Sequence, residues 1–241
     1  PIVLFLPAHD EGPRVAEVIG RAPASIDGHP VEVVVVDDGS ADDTAGVLER
    51  GCAVLGDRAT WQRQEPNQGK AEAVRVGMLH CIEAGCEVVG FWDADLATPL
   101  DEVPALLRVL DDEPRVRAAI ASRVRLLGYR IDRKATRHYF GRVFATVASL
   151  GLGLPVYDTQ CGAKLFRVDD GLRAALAEPF VSRWIFDVQL LARLVVQARD
   201  GDIVREVPVR RWVDVEGSKV KAQHFVKAAL EIAKMRDDLA A

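Results

Sequence analysis

The sequence has no apolar run of the ~18 residues that a membrane span requires. The nearest, Val143 to Val156, is short and broken by Thr146, Ser149 and Gly151. Cysteine is scarce: Cys52, Cys81, Cys86 and Cys161 are the four present. None of them pairs at zinc-ligand spacing, and they outline no disulfide framework. A reduced, cytosolic setting is the expectation. No signal peptide is apparent, and the sequence begins at Pro1 rather than Met. The five histidines are scattered, and no Ser/His/Asp or Cys/His nucleophile set is visible. Internal repeats, low-complexity tracts and linkers are also missing. A formal net charge of -5 argues against a general nucleic-acid binder.

Two phosphate-loop lookalikes fail on their details. In "NQGKAEA", Gln64 stands where the first glycine of a phosphate loop belongs, and Ala71 where Ser or Thr would hold Mg²⁺. "GLGLPV", residues 151–156, lacks a third glycine and follows no strand.

What is present is a chain of 241 residues, 49% hydrophobic, enough for one large core. Its charge is unevenly spread. Residues 115–142 hold nine bases against Asp132 alone, a local +8 that leaves the remainder at -13. A basic belt on an acidic protein points to a specific anionic ligand or an anionic surface.

Strand and helix signals alternate through the first half. "IVLFLPA" is a short β run, and Pro13 opens a helix that reaches about Arg21. "VEVVVVDDGS" (31–40) is the continuous β-branched run of a strand buried on both faces. Ser40 followed by Asp43 predicts an N-cap for a helix over 41–50. A strand near 60–64, a helix over 69–84, the strand "EVVGFWDAD", a helix over 100–111 and a strand over 116–122 follow. The second half predicts helices over 133–150, 184–199 and 220–238, with strands over 163–167 and 203–213. This alternation gives an α/β fold: an open, mostly parallel twisted sheet with helices on both faces. Ligands bind such sheets at the carboxyl ends of the strands.

Three predicted strands end in "PAHDE", "DDGS" and "DAD". A parallel sheet would bring Glu11, Asp38, Asp93 and Asp95 to one edge. Carboxylates gathered there repel unless a cation lies among them. Oxygen ligands of this kind suit Mg²⁺ or Mn²⁺, with phosphate oxygens completing the shell. "DAD" taken alone is more often a helix cap, and it is the matching acidic ends of the other two strands that turn the reading toward a site.

"PAHDEG", "VVVVDDGSADDT", "NQGKAEAVRVGM" and "DADLATP" together resemble family 2 glycosyltransferases of the GT-A fold. "ASR" (121–123), "DTQCGAKLF" (158–166), "RWIFDVQLL" (183–191) and "EGSKV" (216–220) sharpen this. They are similar to dolichyl-phosphate glucosyltransferases and their prokaryotic polyprenyl-phosphate relatives. The resemblance implies one glycosyltransferase domain over 1–241. Its nucleotide-sugar half would span 1–122, and its acceptor half 123–241. It implies that Pro7, Ala8, Glu11 and Asp38 hold the nucleotide, with Lys70 and Asp93 lining its pocket and Lys219 closing over the diphosphate. Asp95, with Asp93, would hold the metal. Arg123 and Arg137 would bind the acceptor phosphate, with Asp158 and Gln160 near the sugar or acceptor.

The implied reaction carries a hexose, glucose from UDP-glucose, to a polyprenyl phosphate with inversion. Mannose or another donor, and a soluble or glycan hydroxyl acceptor, are the alternatives, with a non-catalytic nucleotide-sugar binding module a more distant one. Ala97 stands where the related mannosyltransferases carry a metal-assisting Gln, which leans toward glucose. Many relatives have Glu where this chain has Gln189. A phosphate monoester acceptor is largely ionised at neutral pH, its second pKa being about 6, so no general base is required. Tyr139, Phe140, Val143, Phe144, Val147 and Leu150 share one face of the predicted 133–150 helix, rimmed by arginine and lysine. Such a face can lie in a membrane interface or pack on the core. Peripheral contact with the cytoplasmic membrane face is therefore an expectation.

Overall fold

The computed structural model describes residues 2–132, 156–183, 185–213, 231–232 and 234–235. The predicted 133–150 helix, most of the 220–238 helix, Arg137 and Lys219 lie outside them.

An eight-stranded sheet organises the described chain. Its elements are β1 (Ile2–Ala8), β2 (Ser25–Ile26), β3 (His29–Asp37), β4 (Ala59–Arg63), β5 (Val88–Trp92), β6 (Ala118–Ser122), β8 (Ala163–Arg167) and β9 (Val204–Pro208). The order is β2-β3-β1-β5-β8-β6-β9, with β4 also on β3. β1, β3, β4 and β5 run parallel, as do β6 and β9. β8 is antiparallel to both of its neighbours, β5 and β6. A strand from the second half thus lies between two strands of the first, and one sheet runs through both. β7 (Arg130–Asp132) and β10 (Arg211–Val213) form a separate parallel pair.

The central strands are apolar because both faces are covered. β5 and β6 are buried at every residue. One face carries α1 (Gly12–Arg21), α2 (Thr44–Leu55) and α4 (Val103–Asp112), which bury Val15, Leu48 and Leu106 in one apolar cluster. The other carries α3 (Lys70–Glu83), α5 (Asp170–Ala177) and α6 (Phe186–Ala198), with Met78, Leu172 and Leu190 in a second cluster. Helices therefore cover both faces, as the alternation predicts.

Three expectations change. The helix predicted over 41–50 begins at Thr44 and runs to Leu55. Ser40 does not cap it, because its hydroxyl donates to Asp37 Oδ1 and accepts from the Asp10 N–H. The strand predicted over 203–213 is two strands, since the chain leaves the main sheet after Pro208 and joins β7. α5 was not predicted at all. Asp169 caps it by accepting from the Leu172 N–H at 2.8 Å, a signal that was readable in "DDGL".

β5 and β8 approach so closely that Gly90 has no room for a side chain. A Cβ there would lie 2.3 Å from Leu165 Cδ2 and 2.6 Å from the Lys164 carbonyl oxygen. Gly90→Ala should destabilise the fold by about 1–3 kcal/mol in urea denaturation. Gly20→Ala, on α1 with nothing within 4 Å, should gain roughly 0.5–1 kcal/mol. Equal effects at the two sites would contradict the packing described for β5 and β8.

Candidate active site

The ends of β1, β3, β5 and β6 and the start of β8 meet at one edge of the sheet. β5 stops at Trp92, whose indole N–H donates to the Thr98 carbonyl at 2.7 Å. The next four residues form a tight turn. Leu96 N–H donates to the Asp93 carbonyl at 3.1 Å, and Ala97 N–H to Asp95 Oδ1 at 3.0 Å. Leu96 takes a φ of +49° to close it, a conformation that costs a β-carbon residue roughly 1–3 kcal/mol. Asp93 and Asp95 are both held at the rim by this turn. From the other side, Asp93 N–H donates to the Gly162 carbonyl at 2.8 Å. A Cβ on Gly162 would fall 1.9 Å from Asp93 Oδ2, so glycine is what lets "CGAK" run beside the acid.

Lys70, at the first turn of α3, reaches Asp93 Oδ1 at 2.5 Å with 41% of its side chain exposed. Burial pulls the Lys70 ammonium down, but Asp93 outweighs it, with Asp187 and Asp95 adding, and the net shift is upward. Asp95 is pushed above the usual carboxylate range by burial and then by the charge of Asp93, against the pull of the Ala97 N–H, Lys70 and Arg14.

Asp38 and Glu11 reach the same edge but are engaged within the protein. Asp38 is buried, and its two oxygens accept from the Gln68 and Gly69 N–H groups at 2.8 Å each. It thereby pins the loop that presents Lys70. Glu11 accepts both of its bonds from Arg14 Nη1, at 2.9 and 2.7 Å. Pro7 and Ala8 end β1, and the Ala8 carbonyl accepts from the Asp38 N–H at 2.8 Å. The four acids therefore do not gather into one ligand set. Among the described residues, no group of three or more His, Cys, Asp or Glu could hold a metal ion. The pair Asp93 and Asp95 is what remains. Its chemistry still fits Mg²⁺ or Mn²⁺, which take one or two protein carboxylates alongside substrate phosphates.

Arg123, next after β6, is not an open fork. Its Nε and Nη2 donate to Asp158 Oδ2 and Oδ1 at 2.7 Å each, and its N–H to Oδ2 at 3.0 Å. The guanidinium also lies 5.4 Å from the centroid of Trp212. Asp158 is itself held by its own N–H, which donates to Glu206 Oε1 at 2.8 Å. Gln160 is half-buried on the same loop.

Behind the acid pair lies a buried cation that the motif reading passed over. Lys164 is fully buried on β8. Its ammonium donates to the Cys161 carbonyl at 2.5 Å and to Asp187 Oδ2 at 3.3 Å, and sits 4.9 Å from the Phe91 ring centroid. The signal was a lysine inside the apolar strand "AKLF", where only a paired charge can survive burial. Burial pushes Asp187 up, and Lys164 and Lys70 oppose it. The cysteines offer no nucleophile. Burial pushes Cys81 up to about 12 and Cys86 to about 11, so neither is a thiolate at neutral pH.

A mostly parallel sheet of this order covered by helices on both faces, with an acid pair at its carboxyl edge and a lysine from the preceding helix α3 beside it, has the architecture of the GT-A glycosyltransferases. The chain belongs to glycosyl transferase family 2, whose model matches residues 3–170. It is 29% identical over 241 residues to a dolichyl-phosphate beta-glucosyltransferase of Trichomonas vaginalis, covering 95% of this chain and 69% of that protein. With the dolichyl-phosphate beta-glucosyltransferase of Homo sapiens the identity is 34% over 202 residues, covering 78% and 58%. The chain thus spans little more than half to about two thirds of these relatives. The fold matches the glucosyl-3-phosphoglycerate synthase of Mycobacterium tuberculosis, solved with Mn²⁺, UDP and glucosyl-3-phosphoglycerate. The TM-score is 0.66 at 21% identity, covering 99% of this chain and 79% of that one.

The upward shift of Asp95 has a measurable sign. The folded protein holds a proton there more tightly than the unfolded chain, whose carboxyl titrates near 3.8. Ionised Asp95 is thus a cost to the fold that sets in above 3.8 and is complete once pH passes the folded-state value. Without added metal at neutral pH, Asp95→Asn should raise the melting temperature, the gain shrinking as pH falls toward 3.8. Asp93→Asn, which strips Lys70 of its partner, should lower it. A stabilising Asp93→Asn, or a destabilising Asp95→Asn, in thermal melts with EDTA would refute this electrostatic account.

Proposed function

We propose that this chain transfers glucose from UDP-glucose to a polyprenyl phosphate, inverting the anomeric centre and releasing UDP. The reading is supported by the relatives named above and by the Mn²⁺ and UDP of the mycobacterial structure. One observation carries the choice of acceptor. The two buried carboxylates that a hydroxyl acceptor would need as a base are both engaged by cations. Asp158 is bound twice by the Arg123 side chain, and Asp187 by Lys164. A phosphate acceptor arrives already ionised and asks for no base.

The residues divide the work between two anions. A divalent ion held by Asp95 and Asp93 would supply positive charge to the leaving diphosphate. Lys70, fixed by Asp93, adds a second positive charge on the donor side. Asp38 acts through the backbone of Gln68 and Gly69, shaping the loop that carries Lys70, while Pro7, Ala8 and Glu11 border the nucleotide. On the acceptor side Arg123 and Asp158 form a neutral pair. Arg123 therefore contributes a directed donor, its Nη1, rather than net charge, and Asp158 sets where that donor points. Gln160 lies beside it. Arg137 and Lys219 are assigned to the acceptor phosphate and the donor diphosphate. The transferase chemistry is then alignment of two anions plus stabilisation of the departing one.

The test is incubation of the protein with labelled nucleotide sugars, Mn²⁺ or Mg²⁺, and an acceptor panel of polyprenyl phosphate, phosphoglycerate and glycan hydroxyls. Lipid-linked glucose should form from UDP-glucose and disappear with EDTA. Asp95→Asn should cost at least about 100-fold in turnover while remaining folded. Glucosylation confined to hydroxyl acceptors would reject the phosphate reading. Lipid-linked mannose in place of glucose would reject the donor.

A further inference from the structure

Beyond Arg123 the chain leaves β6 and turns sharply. The Tyr129 N–H donates to the Leu126 carbonyl at 3.1 Å, and Gly128 takes a φ of +87° that glycine adopts without strain. Leu127 forms the tip. It is 105% exposed and Leu126 is 43% exposed, whereas the other described leucines are buried or partly buried in two cores. The turn stands on a packed base. Arg130 N–H donates to the Arg210 carbonyl at 2.9 Å, and β7 pairs with β10 through Ile131 and Trp212, both buried. Val213 beside them is 39% exposed.

Four arginines lie on this turn and on the strand pair at its base: Arg125, Arg130, Arg210 and Arg211. All are exposed, and none makes an ion pair among the described residues. Among the other exposed arginines, Arg21, Arg50 and Arg108 pair with Glu17, Asp43 and Asp27. Arg173, Arg183 and Arg199 make no ion pair among the described residues either, but they are scattered along the chain rather than grouped on one turn and its base. Asp132 is the acid within β7. Unpaired guanidinium groups around projecting leucines, on a protein of net charge -5, complement a surface that is anionic outside and apolar beneath.

We propose that the 125–130 turn and the 210–213 strand seat this protein on an anionic phospholipid bilayer. Leu126 and Leu127 enter the headgroup layer, and Arg125, Arg130, Arg210 and Arg211 meet lipid phosphates. The site's geometry gives the docking its purpose, which rests on the lipid-phosphate acceptor proposed above. Leu127 is four residues from Arg123, a reach of at most about 14 Å. An inserted tip of this kind sits ~5–10 Å into the interface. A prenyl phosphate could then present its head to Arg123 with its chain still in the membrane.

The test is co-sedimentation of the full chain with vesicles of phosphatidylcholine alone and of phosphatidylcholine mixed with phosphatidylglycerol. Binding should need the anionic lipid and weaken with salt. Leu126→Asp combined with Leu127→Asp should lower partitioning about tenfold or more. Arg210→Glu with Arg211→Glu should do the same, so the result does not hang on one variant. The leucine variant should turn over a short, water-soluble prenyl phosphate at the wild-type rate. Wild-type-like vesicle binding by both variants, or no binding by the wild type, overturns the proposal. So does a dimer that the leucine variant dissociates without change in vesicle binding, since the surface then joins two copies. Absence of any turnover on the soluble acceptor would count against the transferase reading and leave docking intact.

Discussion

Lys70 Nζ sits 2.5 Å from Asp93 Oδ1, and that ion pair is what allows two carboxylates to stand at the end of a fully buried strand. Asp93 and Asp95 repel, and burial raises the cost of both charges. One lysine, presented by the first turn of α3, neutralises Asp93. Asp95 remains under-compensated, with its pKa pushed up. One acid is satisfied by the protein and the other is left under-compensated, an imbalance that the divalent ion proposed above would offset. Full internal neutralisation would stabilise the fold and weaken the site's pull on metal or diphosphate.

The rest of the structure serves to hold that arrangement still. The loop carrying Lys70 is fastened by Asp38 through two backbone bonds. Asp93 is fastened by the Gly162 carbonyl, at the head of an antiparallel β8 set between β5 and β6. Behind β8's start, the buried Lys164 grips the Cys161 carbonyl and Asp187. The two halves of the chain are thus joined through one strand. A disturbance of the "CGAK" segment would move Asp93 and the Asp158 loop together, because Asp158 and Gly162 lie four residues apart on it.

Much of this was legible in the sequence. The apolar runs mark out β3, β5 and β6, since a strand covered on both faces has little use for polar residues. The acidic endings of the first, third and fifth strands do come to one edge of the sheet, as the parallel order predicts. What the sequence could not convey is how each acid is engaged. Asp38 reads as a ligand, yet the backbone N–H groups that donate to it lie thirty residues on, in a loop that only the folded chain brings close. Arg123 reads as a free phosphate fork, yet its partner Asp158 is separated from it by 35 residues. Local pattern registers a residue's type and face. It does not register a hydrogen bond made across the sheet, and a carboxylate's role depends on which of its oxygens are already taken. The broken 203–213 strand failed for a related reason. Its apolar alternation continues through Val209, while pairing changes from β6 to β7.

The engagement of these groups also bears on the chemistry. An arginine that binds a carboxylate through two nitrogens is a poor source of net charge and a good source of direction. A carboxylate so bound is a poor proton acceptor, because accepting a proton would break two charge-assisted bonds. The Arg123–Asp158 pair therefore suits an acceptor that already carries its negative charge and needs only to be aimed. The same logic applies at Asp187, whose raised pKa would favour a proton, but whose oxygen is held by a lysine with no route to solvent. A hydroxyl acceptor would have to displace one of these cations before its proton could leave. A phosphate need displace neither, so in the proposed reading the acceptor's charge state, more than its size or its lipid, is the property that this pair would select.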